Sequence, residues 1–180
     1  MATVVITGGS GFLGSRLARE LLGAGSIDVA GSGERPISRL TLVDRAPAPA
    51  DLTADGRVRV IGGDLAELLG RAPGGGAARG ALAEADVIFH LAAAVSGECE
   101  SDFDLGMHAN LLATQRLLAE IRAQGNQSVV VFASSVAVFG GTAEHPLPAV
   151  VDDGTLPVPQ SSYGTQKLLT EFGVLIIYRG

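Results

Sequence analysis

Short apolar runs alternate with longer stretches in which apolar residues recur every three or four positions. The runs are Thr3–Thr7, Leu40–Val43, Val58–Ile61, Val87–Leu91 and Val129–Ala133, all rich in β-branched residues. Their apolar residues are continuous rather than alternating, as in strands covered on both faces. Phe12–Ala24 carries a helical period, and so does Asp102–Gln124, with Met107, Leu111, Thr114, Leu118 and Ile121 on one stripe. Ser101 and Asp104 resemble a capping box at the start of the second helix. This order predicts right-handed crossovers and an α/β fold with a doubly wound parallel sheet. Three stretches are expected to be loops: Ala46–Gly56, Gly70–Gly80 with its Pro-Gly run, and Gly140–Pro159 with four of the eight prolines.

The 180 residues suffice for one domain with a real core. A net charge of -6 and the lack of a basic patch argue against nucleic acid and membrane as partners. Cys99 is the only cysteine, so no intrachain disulfide forms and a reducing compartment fits. With one cysteine and three scattered histidines, no metal site is expected. No apolar run approaches bilayer length and the first residues hold no charged leader, so a cytoplasmic location is expected.

One compositional feature changes the picture. Twelve arginines and a single lysine supply all the cationic side chains, and that lysine, Lys167, lies four residues after Tyr163. On a helix the two are neighbours on one face. An adjacent ammonium favours tyrosinate over phenol, which suits a general base. Arginine is not equivalent at such a site. By itself the spacing is common by chance and favours reading Lys167 as a solvated helix residue.

Other motifs bear on that choice. Thr7-Gly8-Gly9-Ser10-Gly11-Phe12-Leu13-Gly14 follows the first strand and opens the first helix. Gly8, Gly11 and Gly14 are spaced for a tight turn, a close phosphate approach and helix–sheet packing, the dinucleotide-binding signature of the Rossmann fold. The helix N-terminus, with Phe12 and Leu13, offers N–H groups to a pyrophosphate. Asp44 ends the second main strand, where a carboxylate accepts ribose hydroxyls and disfavours a 2′-phosphate. Its distance from the glycines exceeds the usual ~20 residues, which points to an insertion around Ser26–Ser38. Neighbouring Arg45 leaves NADP open. Asp64, in Gly63-Asp64-Leu65, can receive an adenine amino group or cap a helix. His90-Leu91-Ala92-Ala93-Ala94 closes the fourth main strand, with small residues for a close backbone approach and a histidine expected to be structural. Ser135, after the fifth, could hold a substrate hydroxyl.

Together these motifs resemble the extended short-chain dehydrogenase/reductase family, of the NAD-dependent epimerase/dehydratase type, over nearly the whole chain. The resemblance implies that Gly8, Gly11, Phe12, Leu13 and Gly14 bind the NAD pyrophosphate, Asp44 the ribose, and Asp64 with Leu65 the adenine. Ala92, Ala93 and Asn110 would line the cofactor site, Ser135, Tyr163 and Lys167 would be catalytic, and Lys167 would hold the nicotinamide ribose. Val95–Gly106 and Ser135–Gly141 resemble a narrower branch that oxidises D-erythronate-like 2-hydroxy acids, which would put Ser96 near a small sugar-acid substrate. Glu98 is the one acid of its segment singled out; Glu100, Asp102 and Asp104 read as a solvated helix start. The resemblance further implies a homodimer through the 102–124 and 161–178 helices. It also implies that residues 1–180 form an NAD-binding domain without the C-terminal substrate domain. A nucleotide-sugar epimerase or dehydratase with bound NAD, and a non-catalytic NAD-binding fragment, remain alternatives.

Overall fold

A computed structural model describes residues 1–70, 75–125, 127–144 and 146–179. The chain forms two compact units, Met1–Ala92 with Arg116–Ala133, and Ala93–Gln115 with Ser134–Gly180. In chain order the first begins with β1 (Ala2–Thr7), α1 (Phe12–Ala24), β2 (Ser26–Asp28), β3 (Glu34–Asp44) and α2 (Ala50–Thr53). It continues through β4 (Val58–Gly62), α3 (Leu65–Leu69), α4 (Gly75–Ala83) and β5 (Val87–His90). Then come α5 (Ser96–Ser101), α6 (Phe103–Gly106), a π-helical turn at Met107–Leu112 and α7 (Ala113–Gln124). β6 (Val129–Phe132), a 3-10 turn at Val136–Val138 and α8 (Ser162–Arg179) complete the order.

In the first unit β4, β3, β1, β5 and β6 lie side by side and pair in parallel. The strand order turns back on either side of β1, so the C-terminal ends of β1 and β5 border the switch point of a doubly wound sheet. The core is built from β1, β3 and α1: Val4, Ile6, Ala18, Ile37, Leu40 and Leu42, closed by Leu52. The continuous apolar runs are covered on both faces only in the sheet centre. On β4 and β6, at the edges, Val60 and Val131 are 42% and 43% exposed. The expected insertion at 26–38 is a hairpin, with β2 antiparallel to the start of β3. Its turn uses left-handed backbone at Ala30, Gly31 and Gly33.

Four local expectations need correction. The loop expected at Gly70–Gly80 is helical from Gly75, because an Ala-rich stretch of short side chains outweighs its glycines; residues 71–74 lie outside the described residues. Within Ala46–Gly56, Ala50–Thr53 is a helical turn. The cap before the 102–124 helix is not the Ser101–Asp104 pair: the Asp102 carboxylate accepts from the Leu105 N–H at 2.9 Å. The buried stripe also differs. Of the expected stripe, Thr114, Leu118 and Ile121 are buried but Met107 and Leu111 are only half-buried, and Gly106, Asn110, Ala113 and Leu117 are buried beside them. The π turn inserts a residue into the helical ladder and rotates the preceding face, so a 3.6-residue period read through it misassigns its first turns.

In the second unit, two glycines set how closely helices approach. A Cβ on Gly106 would lie 2.7 Å from Gln166 Nε2, and one on Gly164 2.1 Å from the Ala137 carbonyl oxygen. Helix α8 therefore packs directly on the π-containing helix and on the 3-10 turn that follows Ser135.

Candidate functional site: a nucleotide turn and a Ser-Tyr-Lys cluster

The first unit holds the nucleotide-binding half. Gly8 adopts φ +71° and donates its N–H to the Val43 carbonyl at 2.8 Å. A Cβ there would lie 2.7 Å from the Ala92 nitrogen. A Cβ on Gly14 would sit 2.1 Å from the Gly8 carbonyl oxygen, and one on Gly11 3.3 Å from the same atom. Gly8 and Gly14 thus permit a backbone crossing that no side chain allows, while Gly11 is the N-cap residue of α1. No side chain caps that helix and its first turn holds no acid, so a phosphate would meet no competing carboxylate there. The Ser10 hydroxyl is buried with no hydrogen-bond partner among the described residues. A glycine cradle, an uncapped helix start and an orphaned hydroxyl fit a pyrophosphate. Phe12 and Leu13 are exposed at this turn.

Asp44 does double duty. One carboxylate oxygen accepts from the Ser10 N–H and the other from the Ala46 N–H, each at 2.9 Å. It ties β3 to the glycine turn, and its remaining lone pairs suit ribose hydroxyls. Asp64 caps α3, accepting the Glu67 N–H at 3.2 Å, and Leu65 beside it is buried. His90 is held in the sheet: its Nδ1 lies 2.6 Å from the Thr7 hydroxyl, which accepts the Ala92 N–H at 3.3 Å. This pair fixes the chain leaving β5, a structural task.

The second unit holds the catalytic candidates. Ser135 opens the 3-10 turn and its hydroxyl accepts the Ala137 N–H at 3.2 Å. Gly164 presses the N-terminal end of α8, where Tyr163 lies, onto the same turn at Ala137. Tyr163 is half-buried, Lys167 is only 5% exposed, and the Lys167 Nζ is 5.9 Å from the Tyr163 ring centre. Burial pushes the ammonium below its ordinary titration range, with Cys99 acting weakly the other way. Such desolvation makes a lysine responsive to nearby negative charge.

Asn110 lies in the π turn, 2% exposed. Its Oδ1 accepts the Ala94 N–H at 2.9 Å, and its Nδ2 donates to the Ala94 carbonyl at 3.2 Å and to Gln166 Oε1 at 2.8 Å. The side chain thereby clamps the loop after Ala93, an exposed residue, to α8 one position before Lys167. The buried Cys99 thiol joins this network 3.2 Å from Nδ2. Asn110→Ala would leave the Ala94 N–H and Gln166 Oε1 unpaired and is expected to destabilise the protein by ~2–4 kcal/mol, read from urea unfolding; a loss below ~1 kcal/mol would remove the clamp role.

Glu100, read from the sequence as one acid of a solvated helix start, has a specific position. Its Oε1 accepts the Tyr163 N–H at 3.2 Å and the Ser162 hydroxyl at 2.9 Å, so it caps α8 from α5. No local pattern announces this, because donor and acceptor are 63 residues apart. Glu98 accepts the Val95 N–H at 3.0 Å, while Ser96 is exposed at the start of α5. The Tyr163 amide and Ser162 hydroxyl hold the Glu100 carboxyl below its ordinary 4.5. A depressed carboxyl contributes stability above its unfolded value and loses it as pH falls through the folded one. Exchange protection of the Tyr163 amide is therefore expected to fall below pH 4.5. In Glu100→Gln that pH dependence should vanish; an unchanged profile would separate Glu100 from the cap.

Among the described residues no group of three or more His, Cys, Asp or Glu side chains is placed to hold a metal ion. No helix among them is long and apolar enough to cross a membrane.

The fold and glycine turn place the chain in a defined class: it belongs to the NAD-dependent epimerase/dehydratase family, whose pattern matches residues 4–176. Within that family it is 48% identical over 169 residues to D-erythronate dehydrogenase of Cupriavidus necator, and 41% identical over 168 residues to D-erythronate dehydrogenase of Haemophilus influenzae. Each comparison covers 93% of this chain but only 48% and 47% of the relative; the chain spans about half the length of these curated relatives. The solved structure of MoeE5 in complex with UDP-glucuronic acid and NAD is similar over 98% of this chain and 49% of that one, with 33% identity and a TM-score of 0.72.

Proposed function

We propose that the protein oxidises the hydroxyl next to the carboxylate of a small sugar acid of the D-erythronate type. NAD, held by Gly8, Gly11, Gly14 and Asp44, would accept the hydride. Asp44 disfavours the 2′-phosphate of NADP. The Ser135 hydroxyl holds the substrate hydroxyl, and Tyr163, as tyrosinate, takes its proton. The Lys167 ammonium stabilises that tyrosinate and donates to the nicotinamide ribose. Asp64 and Leu65 line the adenine side, with Ala92, Ala93 and Asn110 along the cofactor, and Ser96 contacts substrate. The observation that carries the reading is the buried Lys167 beside Tyr163, one packed glycine away from the Ser135 turn. Identity of 48% to a D-erythronate dehydrogenase supports the substrate class.

The test is NADH formation by the full-length protein given a panel of four-carbon sugar acids. NADH from D-erythronate is the expected result. Conversion of a UDP-sugar without net NADH would instead establish a nucleotide-sugar epimerase, a reading favoured by the likeness to a UDP-glucuronic acid complex. We propose in addition a homodimer through the 102–124 and 161–178 helices. The exposed Leu169, Phe172, Leu175 and Ile176 of α8 support it.

A further inference from the structure

A cavity of about 430 Å³ lies between α4 and the β3–β4 part of the sheet. Thr41 and Arg59 are register partners across β3 and β4, so both point to one face. Arg39, two residues before Thr41, shares it. The facing wall is α4, which offers Ala77 and Ala81 one turn apart. Methyl side chains cannot fill the gap between a helix and a sheet, and the space remains open. Glu84, just beyond α4, closes one end and pairs with Arg39. The lining therefore carries two guanidinium groups against one carboxylate. Its floor holds an anomaly: Thr41 is 1% exposed, and its hydroxyl has no hydrogen-bond partner among the described residues.

A buried hydroxyl without a partner is unfavourable, and beside two guanidinium groups the group it lacks is an acceptor. Guanidinium forks match planar or tetrahedral oxyanions. We propose that this cavity binds a small oxyanion, the carboxylate or phosphate group of a metabolite, between Arg59, Arg39 and the Thr41 hydroxyl. It is separate from the nucleotide turn. Asp44, which touches that turn, ends β3 three residues beyond Thr41, a rise of ~10 Å. Occupation would fasten α4 to the sheet.

The test is calorimetric titration of the full-length protein with inorganic phosphate and, separately, with malonate. Ionic strength is held constant, and each titration is run with and without saturating NAD. Saturable binding that persists with NAD is expected, about tenfold weaker in Arg59→Gln and in Thr41→Val. Binding of phosphate alone or of malonate alone identifies which group the cavity takes. Thr41→Val is expected to melt no lower than wild type without anion, because its hydroxyl has no partner to lose. The proposal is overturned if neither anion saturates, if NAD abolishes the binding, or if both variants bind like wild type. A lowered Thr41→Val melting point would also overturn it, since the hydroxyl would then have a protein partner.

Discussion

Tyr163→Phe is expected to lower the proposed dehydrogenase turnover of the full-length protein by ~10²–10⁴-fold, the usual contribution of a positioned general base. NAD affinity should stay near that of wild type. The separation follows from the structure of α8. The tyrosine is anchored through its backbone N–H to Glu100, an interaction that phenylalanine keeps. Gly164 still packs on Ala137, so the helix does not move. Lys167 remains buried in the same place. Only the phenolic oxygen is removed, so the loss should fall on kcat rather than on cofactor binding. Turnover within about threefold of wild type would assign the proton transfer to another group.

Gly14→Ala is expected to be the most damaging single methyl in the nucleotide turn. The added Cβ would meet the Gly8 carbonyl oxygen at 2.1 Å and Gly9 Cα at 2.7 Å. Both obstacles are backbone, so relief requires the turn to open. Overpacking of this kind costs about 1–3 kcal/mol, sometimes more, and distorts the N–H groups presented to phosphate. A lower melting temperature and NAD binding weakened about tenfold or more are expected. Gly23→Ala, in the same helix, is the control. Nothing lies within 4 Å of its new Cβ, and replacing a helical glycine should stabilise by up to ~1 kcal/mol. Equal effects of the two substitutions would show that the Gly8–Gly14 crossing is not tight.

The main strands, the first helix and the glycine turn were all legible in the chain, since each depends on local signals. Continuous β-branched runs, a 3.6-residue period and glycines at fixed offsets need no distant partner to be read. What misled local reading was itself physical. The π turn at Met107–Leu112 shifts the buried face and puts Asn110 inside. An Ala-Gly stretch, weighed by glycine and proline alone, hides the helix from Gly75 to Ala83.

By itself the sequence determined the doubly wound α/β class, read from the order of locally periodic segments, and the nucleotide turn and the pairing of Tyr163 with Lys167, which lie within one or two turns of backbone. Only the tertiary structure decided the burial of Lys167, the Asn110 clamp on Ala94, the Glu100 cap on α8 and the cavity over Thr41. Each joins atoms contributed by segments far apart in the chain. Their energies come from desolvation and hydrogen bonding, which exist only once those segments have packed.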